Sequence, residues 1–282
     1  VEFLEYVSGK SDQMEVDNIL DYSVYDLEDY FTPAPVIPLK TTSTCYYQRC
    51  TFCTHFGRVP YKEYSLEAIK ETVIKSGQKY FFLVDDMICV GRLLVLAEMF
   101  KPLGIKWACQ LRPTADFNKE VLMKLNDSGL SFVIWGVESG NNRILNLIRK
   151  GTNKKGIAGV LRYSHEVGIK NVIYMILEFP TETGEEMLET IDFLENNKES
   201  IALVSTAVFR LQKDTYIFHH AEEFGISNIK MVARTVLEPK ITYEIENELS
   251  AKEISLLRGR YYSMVEKINK YPKGMNFFRE HM

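Results

Sequence analysis

Cys45, Cys50 and Cys53 place three of the chain's five cysteines within nine residues, spaced C-x4-C-x2-C. Thiolates this close on one loop can converge on one metal centre. A closed structural zinc site takes four ligands, usually as two separated pairs. There is no second C-x2-C pair, and His55 is the only histidine close by in sequence. A [4Fe–4S] cluster held by three cysteines instead leaves one iron open to a substrate or cofactor. Ferredoxin-type sites use C-x2-C-x2-C or C-x4-C-x2-C runs with a fourth cysteine supplied elsewhere. Cys89 or Cys109 could be that fourth ligand, which would make the protein a non-catalytic electron carrier or redox sensor. The spacing points first to an iron–sulfur cluster, with a zinc-stabilised binding module as the weaker alternative.

The whole chain sets the context for that loop. Its 282 residues suffice for one large domain or two small ones, and 46% of them are apolar, enough for a sizeable core. A net charge of −4 with 26% charged residues argues against a general nucleic-acid binder, which would be basic. No run of 18 or more apolar residues is present to span a membrane. Val1-Glu-Phe-Leu-Glu5 lacks the basic and apolar regions of a signal peptide. An odd number of cysteines, three of them crowded, is not a disulfide framework, so the expected compartment is the reducing cytoplasm.

The cysteines need elements to position them. Residues 1–35 read as an acidic, irregular lead-in or interdomain linker. Asp21, Asp26, Glu28 and Asp29 alternate there with Tyr22, Tyr25, Tyr30 and Phe31, and Pro33, Pro35 and Pro38 follow. Apolar runs then alternate with amphipathic stretches. Strands are expected at 36–44, 80–84, 105–111, 132–137, 171–177 and 201–210, and helices at 65–76, 93–101, 118–125, 143–148, 154–167 and 185–196. Strands separated by helices pair in parallel through right-handed crossovers. Six such units are too few for a complete eight-stranded barrel. The expected fold is α/β: a partial, TIM-like (β/α)6 barrel over 36–215 and a mostly helical C-terminal extension over 216–282. Leu249, Ile254, Leu257, Tyr261 and Val265 mark one helix of that extension, from Glu248 to Asn269.

Ligands of parallel α/β sheets bind at the carboxyl ends of the strands, and the polar clusters fall there. The cysteines follow the first strand, Asp85-Asp86 the second, Arg112 the third, Glu138-Ser139 the fourth, and Pro180 and Glu182 the fifth. Plainer roles exist for each. The aspartates could cap a helix, and Arg112 could be a surface ion pair. Cys89 and Cys109 could be inert core residues, and His55 a loop histidine or a donor to cluster sulfur. Tyr46 and Tyr47 read as packing or lid residues, and His219-His220 as a solvated helix start.

The cysteine loop after a first strand, Gly136-Val-Glu-Ser-Gly140 and Phe179-Pro-Thr-Glu-Thr183 together resemble the radical S-adenosylmethionine (SAM) superfamily over residues 36–210. Asp85-Asp86-Met87 stands where other branches carry Gly-Gly-Glu. With Gly-Val-Glu-Ser-Gly and the lead-in Asp21–Phe31, it resembles the branch whose members often carry a cobalamin domain before the barrel. Two departures are visible. The family's usual spacing is C-x3-C-x2-C, and its usual Gly-Phe-Pro-Gly-Glu-Thr reads Glu178-Phe-Pro-Thr-Glu-Thr183 here.

The resemblance implies an oxygen-sensitive enzyme that cleaves SAM reductively at a [4Fe–4S] cluster, giving a 5′-deoxyadenosyl radical. Cys45, Cys50 and Cys53 would ligate three irons, and SAM's amino and carboxylate groups the fourth. Phe52 would lie near the adenine. Arg112 would pair with the SAM carboxylate, and Glu138 or Ser139 would bond the ribose or the amino group. Asp85 and Glu182 would join the cofactor contacts. Cys89 or Cys109 would be a hydrogen donor to a substrate radical. Cobalamin is implied only if an upstream domain is present. The implied partners are a small-molecule or peptide substrate and an electron donor such as flavodoxin or ferredoxin. The implied reactions are methylation through cobalamin, or tailoring of a peptide or metabolite.

Overall fold

The computed structural model describes residues 19–29, 34–55, 60–234, 240–246 and 249–271. Val1–Glu5, Tyr30, Phe31, Pro33 and Glu248 of the sequence reading lie outside them.

Six parallel strands form one sheet in chain order: β1 Val36–Leu39, β2 Tyr80–Leu83, β3 Lys106–Leu111, β4 Leu130–Glu138, β5 Lys170–Leu177 and β6 Leu203–Val208. The crossovers contain α1 Leu66–Ser76, α2 Val90–Phe100, α3 Lys119–Asp127, α4 Asn142–Leu147, α5 Lys154–Glu166 and α6 Gly184–Asn197. The architecture is the α/β partial barrel expected from the sequence. The first strand is shorter than expected, ending at Leu39 before the Thr41–Thr44 run.

Local chemistry fixes the helix ends. Ser65, Asn118, Asn141, Asn153 and Thr183 each accept an amide of the first turn through the side chain. Thr183 and Glu186 form a reciprocal capping box at α6. Gly77 ends α1 with φ +62°, a conformation that a side chain resists.

The two faces of the sheet differ. Leu39, Leu83, Cys109, Trp135 and Leu177 pack with α1–α6 in the main core, and burying each large side chain contributes roughly 1.5–3 kcal/mol. Phe82, Ala108, Phe132, Ile134, Val172 and Leu203, on the alternate positions, form a separate small cluster on the inner face. Toward the carboxyl ends of the strands this inner face opens, leaving Gln110, Tyr174, Ile176 and Ser205 half-buried.

The extension begins with a short helix, α7 Tyr216–His219. It also carries an antiparallel pair, β7 Ile226–Val232 and β8 Lys240–Ile245, beside the long helix α8 Ala251–Ile268. The sequence reading did not single out that pair: β7 is mostly exposed without alternation, and β8 alternates between exposed and half-buried over only six residues. His219 ends α7, whose N-cap is Thr215, and the exposed His220 follows as the N-cap of a 3-10 turn over Ala221–Phe224, so only His220 stands at a helix start. In the lead-in, Leu20 donates its amide to Thr72 of α1 and the Tyr22 hydroxyl bonds the Pro38 carbonyl.

Candidate iron–sulfur and SAM site

The cysteine loop is stapled at its stem. Ser43 donates to the Lys62 carbonyl (2.9 Å) and Tyr64 to the Thr41 carbonyl (3.0 Å), an antiparallel bridge around Thr42 and Glu63. Asp85, fully buried at the end of β2, accepts from the amides and hydroxyls of Thr41 and Thr42 at 2.6–3.1 Å. Four donors from two neighbouring threonines converge on its carboxylate. Burial raises its pKa, with the two threonines pulling against that. Asp85 therefore builds the stem: Oδ1 takes three of the four bonds and Oδ2 one, and the side chain is fully buried beneath the loop. Asp86 is directed elsewhere: its Oδ1 lies 3.3 Å from His55 Nε2, and Thr44 Oγ1 is 3.2 Å from His55 Nδ1. Farther along the loop, Thr51 donates its amide to Ile148 and accepts that of Ile217.

Cys45, Cys50 and Cys53 are half-buried on this loop and within electrostatic reach of one another. Burial pushes Cys50 up to about 11, the nearby Lys150 opposing it, and raises Cys53. Among the described residues no three His, Cys, Asp or Glu side chains are grouped tightly enough for a single metal ion.

Beside the loop lies a buried pair that the sequence reading missed. Lys150 Nζ donates to Glu138 Oε1 at 2.7 Å, with the side chains 5% and 10% exposed. Burial works to lower the pKa of Lys150, but Glu138 and Cys50 more than offset this and leave it raised. Gly136 makes room for the pair: a Cβ there would sit 2.7 Å from Lys150 Nζ and 2.8 Å from Glu138 Oε1. Glu138 itself has φ +67°, next to a register shift between Gly136 and Glu138. A non-glycine residue held in the left-handed region beside a bulge is a strained placement of the sort found at functional sites. A lysine inside Ile148-Arg-Lys-Gly-Thr152 reads as solvent-facing; only the fold shows it buried.

Arg112 is not a surface ion pair. Its guanidinium carbon lies 3.6 Å from the Tyr47 ring centroid; Nη1 donates to the Lys150 carbonyl (2.9 Å) and Nη2 to the Tyr46 hydroxyl (3.1 Å). Nε is buried with no partner among the described residues. The loop thiols, this unused N–H and the Lys150–Glu138 pair fit an open-cornered iron–sulfur cluster carrying a zwitterionic ligand.

Residues 39–194, more than half of the chain, match the family model of the radical SAM superfamily. The chain belongs to the radical SAM superfamily. Membership implies a [4Fe–4S] cluster and SAM, and a reductant and a substrate to work with them. Among the relatives, the tRNA-2-methylthio-N(6)-dimethylallyladenosine synthase of Thermotoga petrophila is 29% identical over 199 residues, 62% of this chain and 43% of that protein. Among solved structures, the radical SAM methyltransferase TsrM of Kitasatospora setae superposes with a TM-score of 0.67 at 13% identity, covering 85% of this chain and 53% of that one. The cobalamin-dependent radical enzyme OxsB gives 0.51 at 21%, covering 66% and 30%. At these identities the structural likeness concerns the fold. The chain spans less than half the length of the curated relatives it matches.

Within this radical SAM core the remaining expected residues separate. Phe52 is half-buried against the main core, between Cys50 and Cys53. Ser139, 1% exposed, accepts the Asn141 amide and faces Thr190 Oγ1 at 3.4 Å, which secures the start of α4. Cys109 is fully buried on the helix side of β3, which raises its thiol pKa well above normal and keeps it from any substrate radical on the inner face. Cys89 occupies the N-cap position of α2 without a side-chain cap bond, its thiol directed instead to the Tyr61 hydroxyl. Glu182 turns back on its own loop: Oε2 accepts the amides of Glu178 (2.9 Å) and Phe179 (3.4 Å).

The altered Phe-Pro motif keeps its backbone shape without glycine. Glu178 and Thr181 stand where the family pattern has glycine, with φ +59° and +68°. Both side chains are used. Arg258 of α8 pairs with both Glu178 oxygens, and Arg143 of α4 donates to Thr181 Oγ1 (3.1 Å) and its carbonyl (2.6 Å).

Proposed function

We propose that this chain is the catalytic core of a radical SAM enzyme acting on a small-molecule or peptide substrate. One observation carries the reading: Cys45, Cys50 and Cys53 lie beside a buried Lys150–Glu138 pair and an Arg112 with a free N–H, all at the carboxyl edge of one parallel sheet. The three thiolates would hold a [4Fe–4S] cluster, which when bound would supply the single electron needed for reductive cleavage of SAM.

The protein's part is to bind, orient and shield. Lys150 and Glu138 present opposite charges, complementary to the carboxylate and ammonium of an amino-acid moiety. Arg112 is held flat by Tyr47, which leaves its edge to a carboxylate. Phe52 offers a ring to the adenine. Gln110, Tyr174 and Ser205, half-buried on the inner face, line the entry for a substrate.

The division into a lead-in through residue 35, a core over 36–215 and an extension from 216 belongs to the same proposal. So do a flavodoxin- or ferredoxin-type reductant and a reducing cytoplasmic setting, supported by the odd number of cysteines. Among the described residues no helix is long and apolar enough to cross a membrane. Methyl transfer through cobalamin joins the reading only if the whole protein includes an upstream domain.

The test is anaerobic reconstitution with iron and sulfide, reduction, and addition of SAM. The expected product is 5′-deoxyadenosine, or S-adenosylhomocysteine if the enzyme transfers methyl groups. A fully loaded protein that gives neither defeats the proposal. Cys50→Ala should abolish the cluster's visible absorbance, and Cys109→Ser should keep it.

A further inference from the structure

A second cavity lies away from the cysteine loop, between the 178–182 turn and the C-terminal extension. It measures about 220 Å³ and is walled by Phe179, Glu182, Phe209, Tyr243, Leu249 and Ile254, with Met187 of α6 beside them. We infer that this cavity binds an amine carried on a compact apolar or aromatic body.

Size sets the first limit. Dry cavities of about 150 Å³ accept benzene, whereas drug-sized ligands take about 300 Å³ or more. A volume between these suits one ring with a short substituent.

Charge sets the second. Three acids gather at the turn. Glu178 is neutralised by Arg258 on both oxygens, and Glu186 by Arg143. Glu182 is 9% exposed; Arg143 lies within electrostatic reach of it, but the Arg143 donors go to Glu186 and Thr181. Its Oε2 is spent on two amides, while its Oε1 has no hydrogen-bond partner among those residues. A carboxyl group nine-tenths buried, lining a cavity with one oxygen unbonded by the protein, presents an acceptor that a ligand's donor can take.

The rings set the third. Phe179 and Phe209 pack edge to face with centroids 4.9 Å apart, and Phe209 and Tyr243 likewise at 6.4 Å. Aromatic walls beside an acid favour a cation, since the ring faces are electronegative. Burial pushes Glu182 up to about 7, so near neutrality an arriving ammonium displaces a proton it would otherwise hold. Glu178, Glu186, Arg143, Arg258, Tyr243 and the buried Tyr261 are the other ionisable groups around it. Of these, the four charged groups are already paired.

The inference needs neither cluster nor SAM, so its test is separate from that of the activity. Titration calorimetry compares benzylamine with benzyl alcohol, a neutral ligand of the same shape. The amine should bind about tenfold more tightly or better, the difference expected of a charge-assisted bond. It should also release protons at pH 7 where the alcohol releases none. Glu182→Gln retains an acceptor for the two amides and should erase the preference. Ile254→Phe fills the cavity from the α8 side, leaves Glu182 in place, and should weaken both ligands. No binding of the amine, equal binding of the two ligands, or an amine preference that survives Glu182→Gln would each overturn the assignment. If Glu182→Gln failed to fold, benzylamine affinity unchanged by Ile254→Phe would overturn it as well.

Discussion

Lys150 and Glu138 form a buried ion pair 2.7 Å long, made by a residue of the loop after α4 and a strained residue at the end of β4. Such a pair contributes little net stability, but breaking one side of it is costly, because the other charge stays buried. Lys150→Met should lower unfolding stability by about 3–5 kcal/mol. Lys150→Met with Glu138→Gln should recover much of that loss without restoring SAM affinity. Urea unfolding and equilibrium SAM binding separate the two effects. A double variant no more stable than Lys150→Met would contradict this account.

Glu178 tests whether the altered turn is a defect or a tether. Glu178→Gly relieves a left-handed residue by about 1 kcal/mol. It also removes the Arg258 pair, half-exposed and worth about 0–1 kcal/mol. Global stability should therefore change little. Amides of α8 should nonetheless exchange faster with solvent, read by hydrogen–deuterium exchange. Unchanged protection throughout α8 would show that the pair does not hold the extension.

Asp85 holds the stem of the loop that bears the cysteines. Asp85→Ala would leave four donors buried without an acceptor, each lost bond costing about 1–3 kcal/mol. The expected results are a lower melting temperature and incomplete iron loading, although no ligand is removed. Asp85→Asn, which keeps one acceptor oxygen, should fall between. Full iron content in Asp85→Ala would refute the stem role.

Glu182 sets a pH dependence of stability. Its carboxyl titrates near 7 when folded against 4.5 when exposed, so the folded chain holds that proton more tightly. The stabilisation is fully present below about pH 4.5 and is lost as the pH rises through 7. Glu182→Gln does not titrate there. Its stability relative to the parent should therefore improve from pH 4.5 to 8, by up to about 3 kcal/mol. Melting curves across that range that stay parallel would show that burial does not shift the group.

The sequence went far toward the fold because its signals were local. Ser65 and Gly77 bracket α1, Asn118 opens α3, and β-branched runs mark the strands; these depend on neighbours within four residues. The β7–β8 pair escaped because its strands are mostly exposed: β7 carries no alternation, and β8 alternates over only six residues without burying any of them fully.

By itself the sequence determined the loop of three thiols, the six alternating units and the polar residues at the strand ends, since spacing and periodicity are properties of the chain. Tertiary structure decided which of those residues face one another. It turned Asp85 into a stem clamp, put Cys109 on the helix side and moved Glu182 to a second cavity. It brought the unremarked Lys150 across to Glu138. Those assignments depend on burial and on contacts between residues far apart in sequence, which no local pattern encodes.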